Sequence, residues 1–241
     1  MQELISIIIP VFNHANILRR CFVSIAGLTY APVEIIVVND GSTDNFDTMM
    51  AGIINEYPNL KIVAVNQSNR GAPSARNVGL RGARGNYVIF WDADTIANRE
   101  ILSKMMEALK NNPLAVYAYS DYKFGWKKML SQSFDREKLK QLNYIDVTSL
   151  IHREALSLNP FDETLKRFQD WDLWLTLLEQ NKTGVYVPGV LYKKIIGGRA
   201  GISQWLPKLL FKLPLSTPAV RRYEAAREIV LQKHGLWRAG R

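Results

Sequence analysis

Short apolar runs alternate with amphipathic stretches along the first half of the chain. The run LISIIIPVFN (4–13) closes at Pro10 and Asn13, and it predicts a strand. Residues 15–28 then place apolar side chains at i, i+1, i+4, i+5 and i+8, the spacing of an amphipathic helix. The same alternation continues to residue 124. The remaining strand candidates are 33–44, 60–67, 86–94 and 114–124, and the remaining helix candidates are 48–58, 72–85 and 99–113.

Strands that alternate with helices of this length form a mostly parallel sheet with helices on both faces, so we expect an α/β fold. Strands covered on both faces are apolar throughout, as EIIVV (34–38) is. Ligands of such sheets bind beyond the carboxyl ends of the strands. Polar residues follow three of the predicted strands: Asn13, Asn39 with Asp40, and Asp92 with Asp94. We therefore expect one binding site at this edge.

The second half of the chain has weaker periodicity, above all in residues 120–165. The stretch LNYIDVTSLIHREAL (142–156) predicts a strand that leads into a helix. The stretch RFQDWDLWLTLLEQN (167–181) predicts a helix, because its apolar residues fall at i, i+3, i+4 and i+7. TGVYVPGVLYKK (183–194) predicts a further strand.

The composition is that of a globular protein, with 47% hydrophobic and 22% charged residues in 241. No apolar run approaches the roughly 18–20 residues that span a bilayer. The start MQELISIIIPVF lacks a positive leader region, so we expect a first strand there and not a signal peptide. Cys21 is the single cysteine, which excludes a disulfide framework within the chain. We therefore expect a cytoplasmic protein.

The net charge of +9 is concentrated at one end of the chain. Residues 1–192 hold 20 Lys and Arg against 20 Asp and Glu, whereas residues 193–241 hold 11 against 2. The stretch ISQWLPKLLFKLPL (202–215) also interleaves aromatic and aliphatic residues with lysines. This mixture is typical of a segment that lies on an anionic membrane surface. The alternative is a C-terminal helical cover packed on the domain. Nucleic-acid binding is not expected, since no recognised module accompanies the charge.

Asp92 and Asp94 are separated by Ala93 alone and follow the apolar run VIFW (88–91). Two carboxylates this close repel each other and are unfavourable to bury unpaired. At a strand end, residues i and i+2 point the same way, so both can face one ion. Mg²⁺ and Mn²⁺ prefer such oxygen ligands together with substrate phosphates. We therefore expect a metal site there; the alternative is a solvated turn with an aspartate that caps the next helix.

Four stretches, in this order, resemble the family 2 inverting glycosyltransferases of the GT-A fold: SIIIPVFN, EIIVVNDGSTD, GAPSARNVGLRGARGNYVIFWDAD and QDWDLWLTL. The resemblance covers roughly residues 4–195. It implies a GT-A catalytic domain over 1–195, with a nucleotide-sugar-binding half (1–118) and an acceptor-binding half (119–195). Residues 196–241 would form a basic amphipathic extension.

The resemblance also implies how the donor is bound. Pro10 and Phe12 would line the pocket for the nucleotide base, and Asp40 would bond the base ring. A carboxylate can accept from an N–H of uracil or thymine, which makes UDP our first expectation and dTDP our second. The same loops contribute Asn13 and Gly41. The alternative for Asp40 is an Asx-turn in the NDGS stretch.

For the diphosphate and the metal ion, the resemblance implies three residues. Arg76 would contact the diphosphate through its forked donors, or else it is a surface charge on a helix. Asp92 would face the ribose or the metal ion, and Asp94 would be the direct ligand of Mn²⁺ or Mg²⁺. The ion would neutralise the leaving nucleoside diphosphate.

Inverting transfer is a single displacement that needs a carboxylate to take the proton of the acceptor hydroxyl. The resemblance gives this role of catalytic base to Asp170, with Trp171 beside it as a substrate contact. The alternative for Asp170 is an aspartate favoured at a helix start. Asp172 fits the motif, but we expect it to support the structure.

The histidines depart from the family pattern. Many relatives place a histidine after the penultimate strand, and the corresponding LYKKIIGGRAG (191–201) has none. Lys193, Lys194 or Arg199 would contact phosphate in its place. We expect His14 and His152 to be structural.

Other classes remain to be weighed against a metal-dependent glycosyltransferase of cell-surface polysaccharide or glycolipid assembly. A dinucleotide-dependent oxidoreductase is disfavoured, because the first turn lacks G-x-G-x-x-G. A sugar nucleotidyltransferase is disfavoured, since a Gly-rich phosphate loop is missing there. The retained alternative is a non-catalytic nucleotide-sugar-binding or scaffold protein of the same fold. The basic tail further suggests a lipid-linked saccharide acceptor and a peripheral position at the inner face of the plasma membrane.

Overall fold

The computed structural model describes residues 2–195 and 217–237, and nine strands within them form one sheet. The strands are β1 (Ile5–Val11), β2 (Val33–Asp40), β3 (Lys61–Gln67), β4 (Tyr87–Phe90), β5 (Thr95–Ala97), β6 (Ala115–Phe124), β7 (Lys127–Met129), β8 (Leu150–His152) and β9 (Thr183–Lys194). The helices are α1 (Ala15–Ala26), α2 (Phe46–Glu56), α3 (Ala72–Gly82), α4 (Ile101–Asn111), α5 (Arg136–Gln141), α6 (Gln169–Glu179) and α7 (Pro218–Lys233).

The sheet is mostly parallel, as expected. Its order is β3-β2-β1-β4-β8-β6-β9-β5, and β7 pairs with β6. The long pairings are parallel, namely β1 with β2, β2 with β3, β1 with β4, and β6 with β9. The antiparallel pairings of β8, β5 and β7 involve three residue pairs or fewer. The carboxyl ends of β1, β2 and β4 therefore meet at one edge.

Helices cover both faces of the sheet, because alternate strand residues point to opposite sides. Ile7 and Ile9 of β1 pack in one core cluster with side chains of α1, α2 and α4. Ile8, between them, packs in a second cluster with side chains of α3, α5, α6 and α7. Gly79 of α3 lies so close to the sheet that an added Cβ would stand 2.3 Å from a methyl of Ile8. This close approach presses α3, and with it Arg76, against β1.

Two sequence predictions are corrected by the structure. The stretch 142–156 contains only the short strand β8 and one 3₁₀ turn, Arg153–Ala155, where we predicted a helix. Ser157, Asn159 and Pro160 follow that turn, and these residues disfavour helix continuation. The strand predicted over 86–94 ends at Phe90, and a hydrogen bond from Thr95 N to Asp92 O (2.9 Å) closes a turn. Asp92 and Asp94 therefore lie in a turn beyond the strand.

The helix α7 packs against α6. Val230 and Leu231 are buried in the second cluster with Trp171 and Trp174. In this described part, the C-terminal region matches the helical-cover alternative. The apolar and basic stretch 202–215, on which the membrane prediction depends, lies outside the described residues. Among residues 2–195 and 217–237, we find no helix both long and apolar enough to cross a bilayer.

Candidate active site

Asp92 is held between two cationic side chains at the carboxyl edge of the sheet. Arg76 of α3 donates from Nη2 to Asp92 Oδ1 at 2.8 Å, and Lys194 of β9 donates from Nζ to Asp92 Oδ2 at 2.9 Å. Burial raises the pKa of Asp92, but the charges of Lys194 and Arg76 outweigh it and hold that pKa well below its usual range. Asp92 is therefore an ionised carboxylate with both oxygens engaged.

Arg76 is 7% exposed, so the alternative of a surface helix charge is wrong. Its Nη1 donates to Gln169 Oε1 at 3.0 Å, and its guanidinium lies 5.4 Å from the ring centroid of Phe161. Through these contacts Arg76 joins α3, the turn at Asp92 and the start of α6. The structure gives Arg76 three partners, and its predicted contact with the diphosphate stays a prediction.

Lys194 bridges Asp92 to a residue that the sequence did not single out, Asp146. Lys194 Nζ donates to Asp146 Oδ2 at 2.7 Å, and the hydroxyl of Tyr192 donates to Asp146 Oδ1 at 2.9 Å. Lys194 is 7% exposed; burial lowers its pKa, but Asp146 and Asp92 raise it well above its ordinary value. The available signal for Asp146 was an acidic residue between the apolar Ile145 and Val147, in the stretch predicted as a strand that leads into a helix.

Asp94 carries the unsatisfied oxygen of the cluster. Its Oδ1 is buried without a hydrogen-bond partner among the described residues. Burial, followed by the charge of Asp92, raises the pKa of Asp94 to about 6. A buried carboxylate oxygen without a donor is unfavourable, and a divalent cation would satisfy it.

The carboxylate oxygens at this position suit a hard divalent cation that takes only part of its ligands from the protein. Asp94 offers a free oxygen, whereas the oxygens of Asp92 are engaged by Arg76 and Lys194. Across residues 2–195 and 217–237, no group of three or more His, Cys, Asp or Glu side chains is arranged to hold a metal ion. Mg²⁺ commonly binds through one or two carboxylates plus substrate phosphates and water.

Asp170 lies in the first turn of α6, beyond the same edge of the sheet. Its Oδ1 accepts from the N–H of Trp171 at 2.9 Å. Burial and the charge of Asp146 raise the pKa of Asp170, although helix starts ordinarily stabilise a carboxylate. Phe168, the residue before α6, has φ 59°, a left-handed conformation that is unfavourable outside glycine and is often found at functional sites. A rigidly placed carboxylate with a raised pKa is suited to accept a proton.

The neighbours of Asp170 on α6 are structural in this arrangement. Trp171 is 1% exposed, and its Nε1 donates to Leu139 O at 2.6 Å. This hydrogen bond ties the start of α6 to α5. The predicted contact of Trp171 with a substrate stays a prediction. Asp172 is also buried, and its Oδ1 lies 3.0 Å from His234 Nε2. The expectation that Asp172 supports the structure matches this contact.

Asp40 organises the loop that follows β3. Its Oδ1 accepts from Gln67 Nε2 at 2.7 Å and from the N–H of Arg70 at 2.8 Å, and its Oδ2 accepts from the N–H of Gly71 at 2.8 Å. A carboxylate has about four acceptor positions, so one on Oδ2 remains for a further donor. The turn in this stretch is closed by Asn39, whose Oδ1 accepts from Ser42 N, three residues on, at 2.9 Å.

The loops after β1 and β2 are tied together. Asn13 has φ 54°, its N–H donates to Ser42 Oγ at 3.0 Å, and its Oδ1 accepts from Thr43 N at 2.8 Å. Gly41 has φ 70°, and a Cβ there would lie 2.8 Å from Asn69 N. Pro10 and Phe12 lie half-buried beside this junction. The structure thus brings the predicted base-pocket residues together in adjoining loops.

Among the described residues, neither of the two histidines predicted to be structural is hydrogen-bonded to Asp92, Asp94 or Asp170. His14 precedes α1, its Nε2 is buried without a partner among the described residues, and burial lowers its pKa. His152 of β8 packs on the ring of Tyr87 with 4.4 Å between the ring centroids.

The sequence matches the model of one protein family, described as "Glycosyl transferase family 2", over residues 6–161. An uncharacterised glycosyltransferase of Haemophilus influenzae is 30% identical over 191 residues, which cover 76% of this chain and 75% of the relative. An uncharacterised glycosyltransferase of Rickettsia typhi is 34% identical over 193 residues, covering 73% of this chain and 59% of the relative. The glycosyltransferase GlyA of Streptococcus pneumoniae is 34% identical over 127 residues, which is 18% of its length. The chain thus spans less than two thirds of the length of some relatives.

Solved structures of similar fold are GT-A glycosyltransferases. TarS 1–349 of S. aureus, in complex with UDP-GlcNAc, superposes with a TM-score of 0.69 at 18% identity, covering 97% of this chain and 72% of that chain. The mannosyltransferase PcManGT of Pyrobaculum calidifontis, in complex with GDP-Man and Mn²⁺, gives 0.68 at 17% identity, covering 95% and 70%. At these identities the likeness establishes the fold: the chain has the GT-A architecture.

Proposed function

Because this chain belongs to glycosyl transferase family 2, we propose that it is a metal-dependent inverting glycosyltransferase. It would move a sugar from a nucleotide-diphosphate sugar to a saccharide or lipid-linked saccharide. One observation carries the proposal: Asp94 keeps an unpaired, buried carboxylate oxygen beside the engaged Asp92, at the edge where a GT-A sheet takes its donor. Asp170, whose pKa is raised, interacts electrostatically with Asp146 and Lys194 of the same cluster.

The donor is proposed to be a UDP-sugar first and a dTDP-sugar second. The support is the remaining acceptor position on Asp40, which suits the ring N–H of either pyrimidine. Pro10, Phe12, Asn13 and Gly41 would complete the nucleotide pocket from the tied loops after β1 and β2. The solved neighbours hold donors of more than one nucleotide, UDP-GlcNAc in TarS and GDP-Man in PcManGT, so the fold alone leaves the nucleotide open.

Mn²⁺ or Mg²⁺ would be held by Asp94, with Asp92 as the second carboxylate. When bound, the ion supplies Lewis-acid stabilisation to the leaving nucleoside diphosphate. Arg76 adds a fixed positive charge next to this position, since its guanidinium is already buried against Asp92. The positive charge that would face the donor diphosphate is thus in place before the donor binds.

Asp170 would act as the catalytic base. Its carboxylate has to be ionised to accept the proton of an acceptor hydroxyl as the sugar bond forms. Burial and Asp146 raise its proton affinity, and the Trp171 N–H bond fixes one of its oxygens. The Asp170 carboxylate, to which the side chain of Asn143 is also hydrogen-bonded, would then receive the proton.

We propose a saccharide acceptor of cell-envelope polysaccharide assembly, lipid-linked where the chain lies at the inner face of the plasma membrane. The support is the charge of residues 193–241, of which Arg221 and Arg222 are exposed on α7. Changing Lys208, Lys212, Arg221 and Arg222 to Glu should release the protein from anionic vesicles in a sedimentation assay. Absent or unchanged vesicle binding would exclude this membrane contact while leaving the sugar transfer intact.

A panel of donors tests the proposed function. Thermal unfolding of the wild type and of Asp94→Asn is followed with UDP-, dTDP-, GDP- and CMP-sugars, each with and without Mn²⁺. A donor at 100 times its Kd stabilises the folded state by about 2.7 kcal/mol. We expect a metal-dependent shift with one nucleotide that is lost in Asp94→Asn. Absence of a shift with every donor in the presence of Mn²⁺ would contradict the proposal.

A further inference from the structure

Lys194 is a buried cation inside a cluster of carboxylates. Its Nζ contacts Asp92 at 2.9 Å and Asp146 at 2.7 Å, and it also interacts electrostatically with Asp94 and Asp170. The lysine side chain is 8% exposed. The four carboxylates exceed the charge of Lys194 and Arg76 together. The cluster thus retains a net negative charge that a divalent cation would complement.

The lysine is anchored by its backbone and not by its side chain alone. Lys194 pairs with Phe124 of β6 and with Thr95 of β5, and its carbonyl accepts from the N–H of Gly125 at 3.0 Å. The neighbouring N–H of Ile195 donates to Asp94 O at 2.9 Å. A lysine side chain has a flexible four-carbon stem ending in a compact charge. The ammonium can therefore change partners while its strand stays in place.

From these contacts we propose that Lys194 is a resident cation that competes with the divalent metal ion for the carboxylate cluster and serves the donor diphosphate once that ion is bound. This inference rests on the proposed function. Without metal, Lys194 neutralises Asp92 and Asp146, which would otherwise repel each other and Asp94. With metal present, the ammonium is repelled by the ion and attracted by phosphate, so it exchanges carboxylate partners for phosphate oxygens.

A competing cation and a purely structural ion pair predict opposite changes in metal binding when Lys194 is removed. Removing a structural lysine leaves buried carboxylates unpaired and weakens every ligand interaction of a loosened site. Removing a competing cation instead tightens metal binding in the absence of donor, because the ion takes the position without displacing an ammonium. The same change weakens nucleotide binding, because a phosphate partner is lost.

The test compares Lys194→Met with Lys110→Met. Lys110 lies in the last turn of α4, is exposed, and loses the same charge when changed. Binding of Mn²⁺ to the ligand-free full chain is measured from the electron paramagnetic resonance signal of free Mn²⁺. Binding of UDP is measured by calorimetry at saturating Mn²⁺. We expect Lys194→Met to bind Mn²⁺ about tenfold more tightly than the wild type and UDP about tenfold more weakly. Lys110→Met should stay within about twofold of the wild type in both.

Lys194→Arg covers the case in which the methionine variant fails to fold, since it keeps the charge. It should bind Mn²⁺ as weakly as the wild type, and tighter binding by this variant would contradict the proposal. Equal or weaker Mn²⁺ binding by a folded Lys194→Met would overturn the competition while leaving the proposed function intact. A wild type that binds neither Mn²⁺ nor any nucleotide would overturn the proposed function itself, and the inference with it.

Discussion

His234 Nε2 lies 3.0 Å from Asp172 Oδ1, and this contact fastens α7 to α6 two residues beyond Asp170. The other ring nitrogen of His234 lies 2.7 Å from Glu179 Oε1. A histidine between two carboxylates donates from both nitrogens only when it is protonated. Lys233 reinforces the junction, with its Nζ at 2.9 Å from Asp172 Oδ2. The C-terminal helix is therefore joined by charge to the helix that carries the proposed catalytic base.

This junction makes stability depend on pH. Burial lowers the pKa of His234, but hydrogen bonds and charges of Asp172 and Glu179 outweigh it and raise that pKa above its ordinary 6.5. The folded state thus binds the proton more tightly than the unfolded chain. Its contribution is complete below pH 6.5 and is lost as the pH rises through the folded value. Urea unfolding between pH 6 and 9 should show this decline in the wild type and a flatter profile in His234→Gln.

His152 provides the matched control for that profile. Burial lowers its pKa, so this residue destabilises the folded state as the pH falls below its ordinary 6.5. His152→Gln should gain stability at acid pH and keep the decline above pH 6.5. A wild-type profile that is flat above pH 6.5 would contradict a charged His234 junction.

Arg76 is predicted to be needed for both stability and donor binding. Arg76→Ala leaves Asp92 with one buried cation and frees Gln169, and removal of one partner from a buried pair costs about 3 kcal/mol. We expect that loss in urea unfolding together with at least about tenfold weaker UDP binding. Arg81→Ala, on the exposed side of the same helix, should change the unfolding free energy by less than about 0.5 kcal/mol. Similar losses in both variants would show that Arg76 has no special role.

Metal binding should weaken below pH 6. The pKa of Asp94 is raised to about 6 by burial and by Asp92, and a metal ligand has to be deprotonated. The apparent Kd for Mn²⁺ should therefore rise by roughly fivefold from pH 6 to pH 5. In Asp94→Asn, any residual Mn²⁺ binding should lack this step. A Kd that is constant across this range in the wild type would exclude Asp94 as the direct ligand.

Gly41→Ala should damage the nucleotide pocket. The residue has φ 70°, and the added Cβ would lie 2.8 Å from Asn69 N, so the loop that Asp40 organises has to shift. We expect a loss of about 1–3 kcal/mol in unfolding free energy and weaker UDP binding. Gly52→Ala in α2 meets nothing within 4 Å and should stabilise the protein by about 0.5–1 kcal/mol. Unchanged UDP binding in Gly41→Ala would separate this loop from the nucleotide pocket.

Local patterns were sufficient for the first half of the fold. The strands β1 to β4 are short apolar runs with polar ends, and the helices between them have one apolar face, so periodicity identified them. The polar residues at the strand ends then identified one edge of the sheet. The fourth strand was predicted to run on to Asp94, because nothing in the sequence marks where pairing stops at Phe90.

Contacts between residues far apart in the chain could not be predicted from local sequence patterns. Asp146 and Lys194 are 48 residues apart, and their ion pair depends on the order of β8, β6 and β9 in the sheet. Sequence reasoning considered Lys194 only as a replacement for a missing histidine and did not consider Asp146. The strand β8 has three residues, too few for a periodic signal, and its position is set by pairing with β4 and β6.

The central claim is sugar transfer with Asp170 as the base, and turnover in Asp170→Asn tests it most directly. The release of nucleoside diphosphate by transfer to a saccharide acceptor is measured at saturating donor and Mn²⁺, alongside calorimetric binding of the same donor. We predict unchanged donor binding and a kcat reduced by about 10²–10⁴ relative to the wild type. A wild type that binds donor without turnover would favour the non-catalytic alternative, and a variant with wild-type kcat would contradict the assignment of Asp170.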